Sequence, residues 1–332
     1  MTVSAPPDAL ARLLDRAGLG GPFAATRLAG GGNNRAHRVD RPGAAPLFLK
    51  EYFRHPSDRR DRLASEFGFL TFARAAGIDS VPAPVAASPE DGLALYEYVD
   101  GEPVRPEDVG SDAVGAALAL LARLDERRAD PLARALPLAS EAAFSIAGHL
   151  GVVGRRLDRL ASIDPTSPVD REAARFVEGE LVPAWRGVAA RVRSSGLPLD
   201  AELSEDDRIL SPSDFGFHNA IRRRDGRLVF VDFEYAGWDD PAKTAGDFFS
   251  QVARPVPIDF LDAFLETVSP LHAPRIRLLL PVYRVKWCAI LLNEFRTDGG
   301  ARRVFAGRAE DLEERKAAQL EKARLALTRI PA

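Results

Sequence analysis

The stretch LSPSDFGFHNAI, residues 210–221, holds an Asp-Phe-Gly triplet at 214–216 and, overlapping it, an Asp-x4-Asn pair, Asp214 and Asn219. The two patterns give Asp214 different chemistry. In the triplet reading its carboxylate holds a divalent cation beside nucleotide phosphates. In the pair reading it faces an acceptor hydroxyl, and Asn219 holds the cation. A strand ending in an acidic residue follows, Leu228-Val-Phe-Val-Asp232-Phe-Glu234. If Asp214 were the cation-holding Asp, an Asp-x4-Asn pair should stand upstream of it. The chain has four Asn, at Asn33, Asn34, Asn219 and Asn293, and none supplies that pair. The literal triplet therefore belongs to the base-bearing loop, and Asp232-Phe233-Glu234 is the cation motif.

Working outward, the order of parts is that of phosphoryl transfer, which needs a phosphate cover, a cation on the phosphates, metal ligands and a base. Lys50 ends the strand PLFLK, 18 residues after the glycine cluster Gly30-Gly31-Gly32. A lysine there would point into a cleft and meet the α- and β-phosphates of ATP. Glu66, in ASEFGFL, sits beside the apolar Phe67/Leu70 stripe of the next helix and is the carboxylate expected to hold it. Gly31 and Gly32, with Asn33 and Asn34 after them, would let backbone N–H groups approach phosphate closely. LYEYVDGEP, 95–103, reads as an extended segment between lobes, with Glu97 and Val99 the expected adenine contacts. Each feature alone fits an ordinary hairpin, surface lysine or linker; the ordered set does not.

The rest of the chain supports a bilobal α+β architecture. After a short helix at 9–19 the order is strand, strand, strand, helix (57–76), strand (93–99). After Pro106 the pattern is mostly helical, at 111–128, 140–160, 170–194 and 243–331, interrupted by one strand pair in the motif segment, DRILSPSD and LVFVDFE. VPAPVAASPEDG reads as turns. We place a nucleotide-binding lobe at 1–100 and a catalytic and acceptor-binding lobe at 101–332. No internal repeat is found.

Composition narrows the function. The chain has 332 residues, 46% hydrophobic and 28% charged, and a formal net charge of −3. That charge gives no case for nucleic-acid binding. A single cysteine, Cys288, leaves no internal disulfide and no multi-cysteine metal site. Neither a signal peptide nor a membrane-spanning apolar run is expected, and no obligatory protein partner is indicated. The expectation is a soluble cytoplasmic enzyme that binds ATP, Mg²⁺ and a small hydroxylated substrate.

The segments GGNNRAHRV, EFGFLTFARAAGIDSVPAP, LALYEYVDGEP, LALLARLD, SDFGFHNAI and VFVDFEYAGWDDPAKTAGDF together resemble the aminoglycoside phosphotransferase family of small-molecule kinases, over about 28–251. The resemblance implies a protein-kinase-like fold. It also implies that Asp214 orients or deprotonates the acceptor hydroxyl and that Asn219 and Asp232 hold Mg²⁺. Lys50, paired with Glu66, would hold the ATP phosphates, and Asp247 would be a buried anchor for the catalytic loop. Two positions depart from the family pattern. Pro212 stands where His is usual, two residues before the base, and Asp125 stands for a His in the LALLARLD helix. Family members act on aminoglycosides, choline, sugars and other hydroxyl compounds, so the resemblance leaves the acceptor open. The alternatives are a nucleotide-binding pseudokinase, which commonly lacks one of these residues, and a true aminoglycoside kinase. AMP transfer would demand rearranged phosphate contacts. Protein-kinase activity would need an activation segment that is absent after Asp232.

For the acceptor we expect a wall on VYRVKWCAILLNEF, 282–295. Tyr283, Lys286 and Asn293 fall on one helix face, with Trp238 and Asp239 as further candidates. A free Lys286 charge there would favour a sugar-like or anionic acceptor over a polycationic one.

Overall fold

The computed structural model describes residues 7–28, 34–54, 60–296 and 312–330. Helix α1 (Pro7–Arg16) is followed by strands β1 (Ala24–Arg27), β2 (Arg35–Asp40) and β3 (Leu47–Glu51). Helix α2 (Arg62–Ala75) and strands β4 (Pro84–Ser88) and β5 (Leu93–Glu97) come next. These strands form one antiparallel sheet in the order β1-β2-β3-β5-β4. Alternation along β3 decides its two faces. Leu47 and Leu49 pack with Leu10, Leu13 and Leu14 of α1 and with Leu93 and Leu95 of β5. Lys50 points the other way, toward α2. Its neighbours across the sheet are Ala36 and Ala94, small residues that leave room for a long side chain.

Helix α2 starts at Asp61, whose carboxylate accepts the Ala64 N–H at 2.9 Å. It stops at Gly77, at φ +76°, where the Gly77 and Ile78 N–H groups donate to the Arg74 and Ala73 carbonyls. This is the glycine stop that the left-handed region favours.

Strand β4 was not expected. Its residues, PVAAS, carry little apolar alternation, and Pro84 is tolerated because β4 lies at the sheet edge. A second correction concerns the expected strand pair. Strand β6 (Gly101–Pro103) pairs with β8 (Ala220–Arg223), which pairs with β9 (Leu228–Phe230). Strand β7 (Ile209–Ser211) instead pairs with β10 (Gly237–Asp239). The two expected strands thus belong to separate small sheets, and the catalytic loop lies between them.

The helical part comprises α3 (Ser111–Glu126), α4 (Pro131–Arg134), α5 (Ile146–Leu160), α6 (Pro168–Phe176) and α7 (Val182–Arg193). After the motif segment come α8 (Pro241–Ser250), α9 (Leu261–Val268), α10 (Ala273–Leu291) and a last described helix, Leu312–Leu327. A wide π-helical turn, Val177–Leu181, joins α6 to α7 just before Pro183, which has no N–H to continue the ladder. Helices α8 and α10 approach closely because Gly246 has no side chain: a Cβ there would meet the Tyr283 ring at 2.2 Å. Phe215, Phe217, Phe230 and Phe248 form an aromatic cluster beneath the catalytic loop. No described helix is long and apolar enough to cross a membrane.

Candidate active site

The two lobes meet at Lys50. Its ammonium lies 2.6 Å from Glu66 Oε2 and 2.6 Å from Asp232 Oδ1, with Glu234 at 3.9 Å. Glu66 is fixed on three sides. The Tyr52 hydroxyl donates to it at 2.6 Å, and the Phe233 N–H donates to its other oxygen at 3.1 Å. Tyr52 in turn meets the Tyr96 hydroxyl at 2.6 Å. The Phe233 ring stacks on Phe69 of α2, centroids 5.1 Å apart. The Asp232-Phe233-Glu234 segment is therefore docked onto the helix that carries Glu66, whereas Phe215 of the literal triplet is sunk in the aromatic cluster.

Three carboxylates surround one ammonium here. Glu66 and Glu234 are buried, while the Asp232 side chain keeps 43% of its exposure. The protein packed around the carboxyl group itself keeps water from it despite the exposed flank of the side chain, and this pushes the Asp232 carboxyl up; Lys50 opposes this, and the Glu234 and Glu66 charges add to it. Glu234 is held below the ordinary range: burial raises it, but Lys50, Arg62 and the Asn34 amide outweigh that. Asp232 also sits at φ +67°, a conformation that costs a non-glycine residue and that its surroundings must enforce. A surplus of negative charge with one partly exposed carboxylate suits a divalent cation, which commonly takes one or two carboxylates plus phosphate oxygens and waters. Among the described residues no group of three acidic, His or Cys side chains forms a self-sufficient metal cage.

Asn219 fits the same role. Its Nδ2 donates to the Asp214 carbonyl at 3.0 Å, which leaves its Oδ1 as an oxygen donor for a cation. The loop is tied to the cation motif by the Val231 N–H donating to the Asn219 carbonyl at 2.8 Å. Asp214 is 35% exposed and lies 3.2 Å from His218 Nε2. Burial raises its carboxyl, but the His218 hydrogen bond and the Lys286 and Lys243 charges win, so it stays ionised below the usual range.

Gly31, Gly32 and Asn33 lie outside the described residues. Asn34 bonds across the cleft to Glu234, Nδ2 to Oε2 at 2.5 Å, and accepts the Phe53 N–H at 3.1 Å, so its side chain locks backbone to acid; the expected phosphate contact is through its backbone N–H, which these bonds do not use. The Glu97 side chain bonds Arg223 and the Ala83 N–H, which fixes the segment whose backbone is the expected adenine contact. Val99 is buried and has no backbone hydrogen bond among the described residues.

On the expected acceptor wall, Tyr283 is 2% exposed and bonds His149 at 2.6 Å. Lys286 is 4% exposed and forms two 2.9 Å bonds to Asp247. Their shared face packs on α8 rather than lining an open cleft, so Lys286 is no free charge. Asp239 is fully buried against Lys243, 2.5 Å away. Asn293 falls beyond the end of α10, in a 3₁₀ turn, so it leaves the helix face. Trp238 is half-buried, its indole N–H donating to the Ala133 carbonyl at 3.0 Å. Asp247 anchors α10, through Lys286 and the Trp287 indole at 3.0 Å, and does not bond the catalytic loop directly. Sequence reading missed Tyr52, Ser213, His218 and Lys243. For Lys243 a signal existed: Asp239, Lys243 and Asp247 stand at i, i+4 and i+8.

Residues 24–279 match the model of the phosphotransferase enzyme family, and the chain belongs to that family. No curated protein sequence matches it. Solved structures share its protein-kinase-like fold. Spectinomycin phosphotransferase APH(9)-Ia, in complex with ADP and spectinomycin, superimposes with a TM-score of 0.64 at 11% identity, covering 98% of this chain and 95% of that one. A choline/ethanolamine kinase family protein from Mesorhizobium loti gives 0.57 at 18% identity, covering 99% and 96%. Amicoumacin kinase hAmiN, in complex with AMP-PNP, Ca²⁺ and Ami, gives 0.57 at 15% identity, covering 98% and 97%. The protein is an ATP-dependent small-molecule phosphotransferase.

Proposed function

We propose that this enzyme moves the γ-phosphoryl group of ATP, taken as its Mg²⁺ complex, to a hydroxyl group of a small metabolite. The reading is carried by one observation: Lys50 stands 2.6 Å from both Glu66 and Asp232, joining the phosphate-binding strand to the cation motif. Lys50 would hold the α- and β-phosphates, with Glu66 fixing its ammonium. Asp232 and the Asn219 amide oxygen would hold Mg²⁺, which supplies charge neutralisation on the transferring phosphoryl group. Asp214, ionised and partly exposed, would accept a hydrogen bond from the acceptor hydroxyl, align its oxygen, and take the proton as the new bond forms.

Because Asp247 neutralises Lys286, that lysine gives no reason to prefer an anionic acceptor. What supports a hydroxylated, sugar-like acceptor is the polar loop around Asp214 and His218, with the Trp287 ring edge-on to His218 at 6.3 Å. The test is ADP release from ATP–Mg²⁺ on a panel of neutral, anionic and cationic alcohols, with spectinomycin, choline and amicoumacin in the cationic arm. Asp214→Asn should lower turnover by about 10²–10⁴-fold while ATP affinity stays near wild type. Asp232→Asn should remove the stabilisation that ATP–Mg²⁺ gives. Wild-type turnover in Asp214→Asn, or no ADP release above the protein-free rate with any acceptor, would sink the proposal.

A further inference from the structure

Ser213, the residue before Asp214, has φ +68° and is 5% exposed. An L-residue other than glycine resists this left-handed conformation, so something must hold it there. Two consecutive side chains in the first turn of α8 do so. Lys243 Nζ donates to Ser213 Oγ at 2.7 Å. Thr244 Oγ1 bonds Ser211 Oγ at 2.8 Å, and that oxygen accepts the Ser213 N–H at 3.0 Å. Lys243 is itself immobilised: it is 1% exposed, 2.5 Å from Asp239 and 3.8 Å from Asp247. An ammonium has three donors, and two of these are committed to short hydrogen bonds in a dry site. Its orientation is therefore set by α8 and β10, both rigid elements of the larger lobe, and is passed on to the loop through a single hydroxyl.

We propose that Lys243 is a positioning residue for phosphoryl transfer: by clamping Ser213 in the left-handed conformation, it aims the Asp214 carboxylate at the acceptor hydroxyl. The inference rests on the reading of Asp214 given above and adds a part to it. A small error in the direction of Asp214 matters, because a misplacement of about 1 Å at a reacting group can cost two orders of magnitude in rate. The competing account is that Lys243 only neutralises Asp239 and Asp247. The two accounts part at Ser213, whose hydroxyl is irrelevant to charge neutralisation.

Ser213→Ala removes the Lys243 part of the clamp, keeps the bond from the Ser213 N–H to Ser211, and leaves the Lys243–Asp239 pair in place. Turnover is measured with the acceptor giving the fastest ADP release in the panel above, and also with water as acceptor. We expect kcat to fall by about tenfold or more, with the KM for ATP within about twofold of wild type. Ser213→Gly should lose less than Ser213→Ala, since glycine adopts φ +68° without help. Lys243→Met leaves two buried carboxylates short of a partner and can fail to fold, so the serine variants carry the decision. Where it does fold, adding Ser213→Ala to it should cost nothing further. Ser213→Ala at wild-type kcat, or Ser213→Gly as impaired as Ser213→Ala, overturns the clamp. If Asp214→Asn abolishes turnover while Ser213→Ala does not alter it, the clamp alone falls. If Asp214→Asn is fully active, the reading of the base falls instead.

Discussion

Two lysine–carboxylate clusters lie near the loop 211–219, and they differ in charge balance. At the cleft, Lys50, with the Arg62 guanidinium acting on Glu234, faces the three carboxylates Glu66, Asp232 and Glu234, and the Asp232 side chain is 43% exposed. On the wall, Lys243 and Lys286 face Asp239 and Asp247, and none of the four side chains exceeds 5% exposure. The interior tolerates charge only when it is paired. The cleft cluster is short of positive charge, with an open side where more can enter, which is the condition for binding a cation and its phosphates. The wall cluster is balanced and closed, which makes it scaffold. A lysine in an apolar helix thus says little about function until its counter-charges are counted.

Unbalancing the wall should have the largest effect. Lys286→Met leaves Asp247 with the Trp287 indole and a lysine 3.8 Å away. Stripping one partner from a buried pair costs about 3–5 kcal/mol. Denaturant unfolding should show a loss of that size, and Lys286→Met/Asp247→Leu should recover part of it. A single variant as stable as wild type would show that Lys286 is not scaffold, and would restore it as a candidate for the acceptor.

At the cleft the expected effect is on rate and is smaller as a coupling. Lys50→Ala and Glu66→Ala should each impair phosphate binding, and the double variant should be less than additive. A coupling of about 0.5–3 kcal/mol in ΔΔG‡ is expected from side chains in one network. Glu66 also bonds Tyr52 and the Phe233 N–H, so Glu66→Ala should carry some damage that Lys50→Ala does not. Strict additivity in kcat/KM would mean that the 2.6 Å contact plays no part in turnover.

The cleft was legible in the sequence because its parts lie at strand ends and loops in a fixed order. Lys50 stands near the end of an alternating strand and Asp232 follows a short apolar one, so their meeting could be expected; the absence of any upstream Asp-x4-Asn pair is the ground for proposing Asp232 rather than Asp214 as the cation ligand. The wall was not legible, for a geometric reason. Periodicity places Tyr283 and Lys286 on one helix face, but it does not say what that face meets. Gly246 lets α8 come close enough to cover it. The fall of Asn293 from the face was equally hidden, since nothing in CAILLNEF marks the change to a 3₁₀ turn at Leu292. Strand β4 escaped because an edge strand needs little apolar patterning. The clamp on Ser213 escaped because a positive φ at serine leaves no compositional trace.

The smallest expected effect tests the surplus of negative charge itself. Burial, with Glu234 and Glu66 and against Lys50, raises the Asp232 carboxyl to about 7. In the unfolded chain an Asp titrates near ~3.9. Between these values the native state holds more protons than the unfolded one. The contribution of Asp232 to stability therefore declines as pH rises through that window, and it is flat above the folded value. Mg²⁺ would compete with the proton for the same carboxylate, so the stabilisation given by ATP–Mg²⁺ should be weaker near about pH 6 than near about pH 8. Melting curves at both pH values, with and without ATP–Mg²⁺, read the difference as a few degrees in Tm. Asp232→Asn has no proton to lose at this position, so it should flatten the Asp232 part of the slope in the protein without ATP–Mg²⁺, and show no increment at either pH. An increment that is the same at both pH values in the wild type would mean that Asp232 is already ionised, and that the cleft holds no excess charge for a cation to relieve.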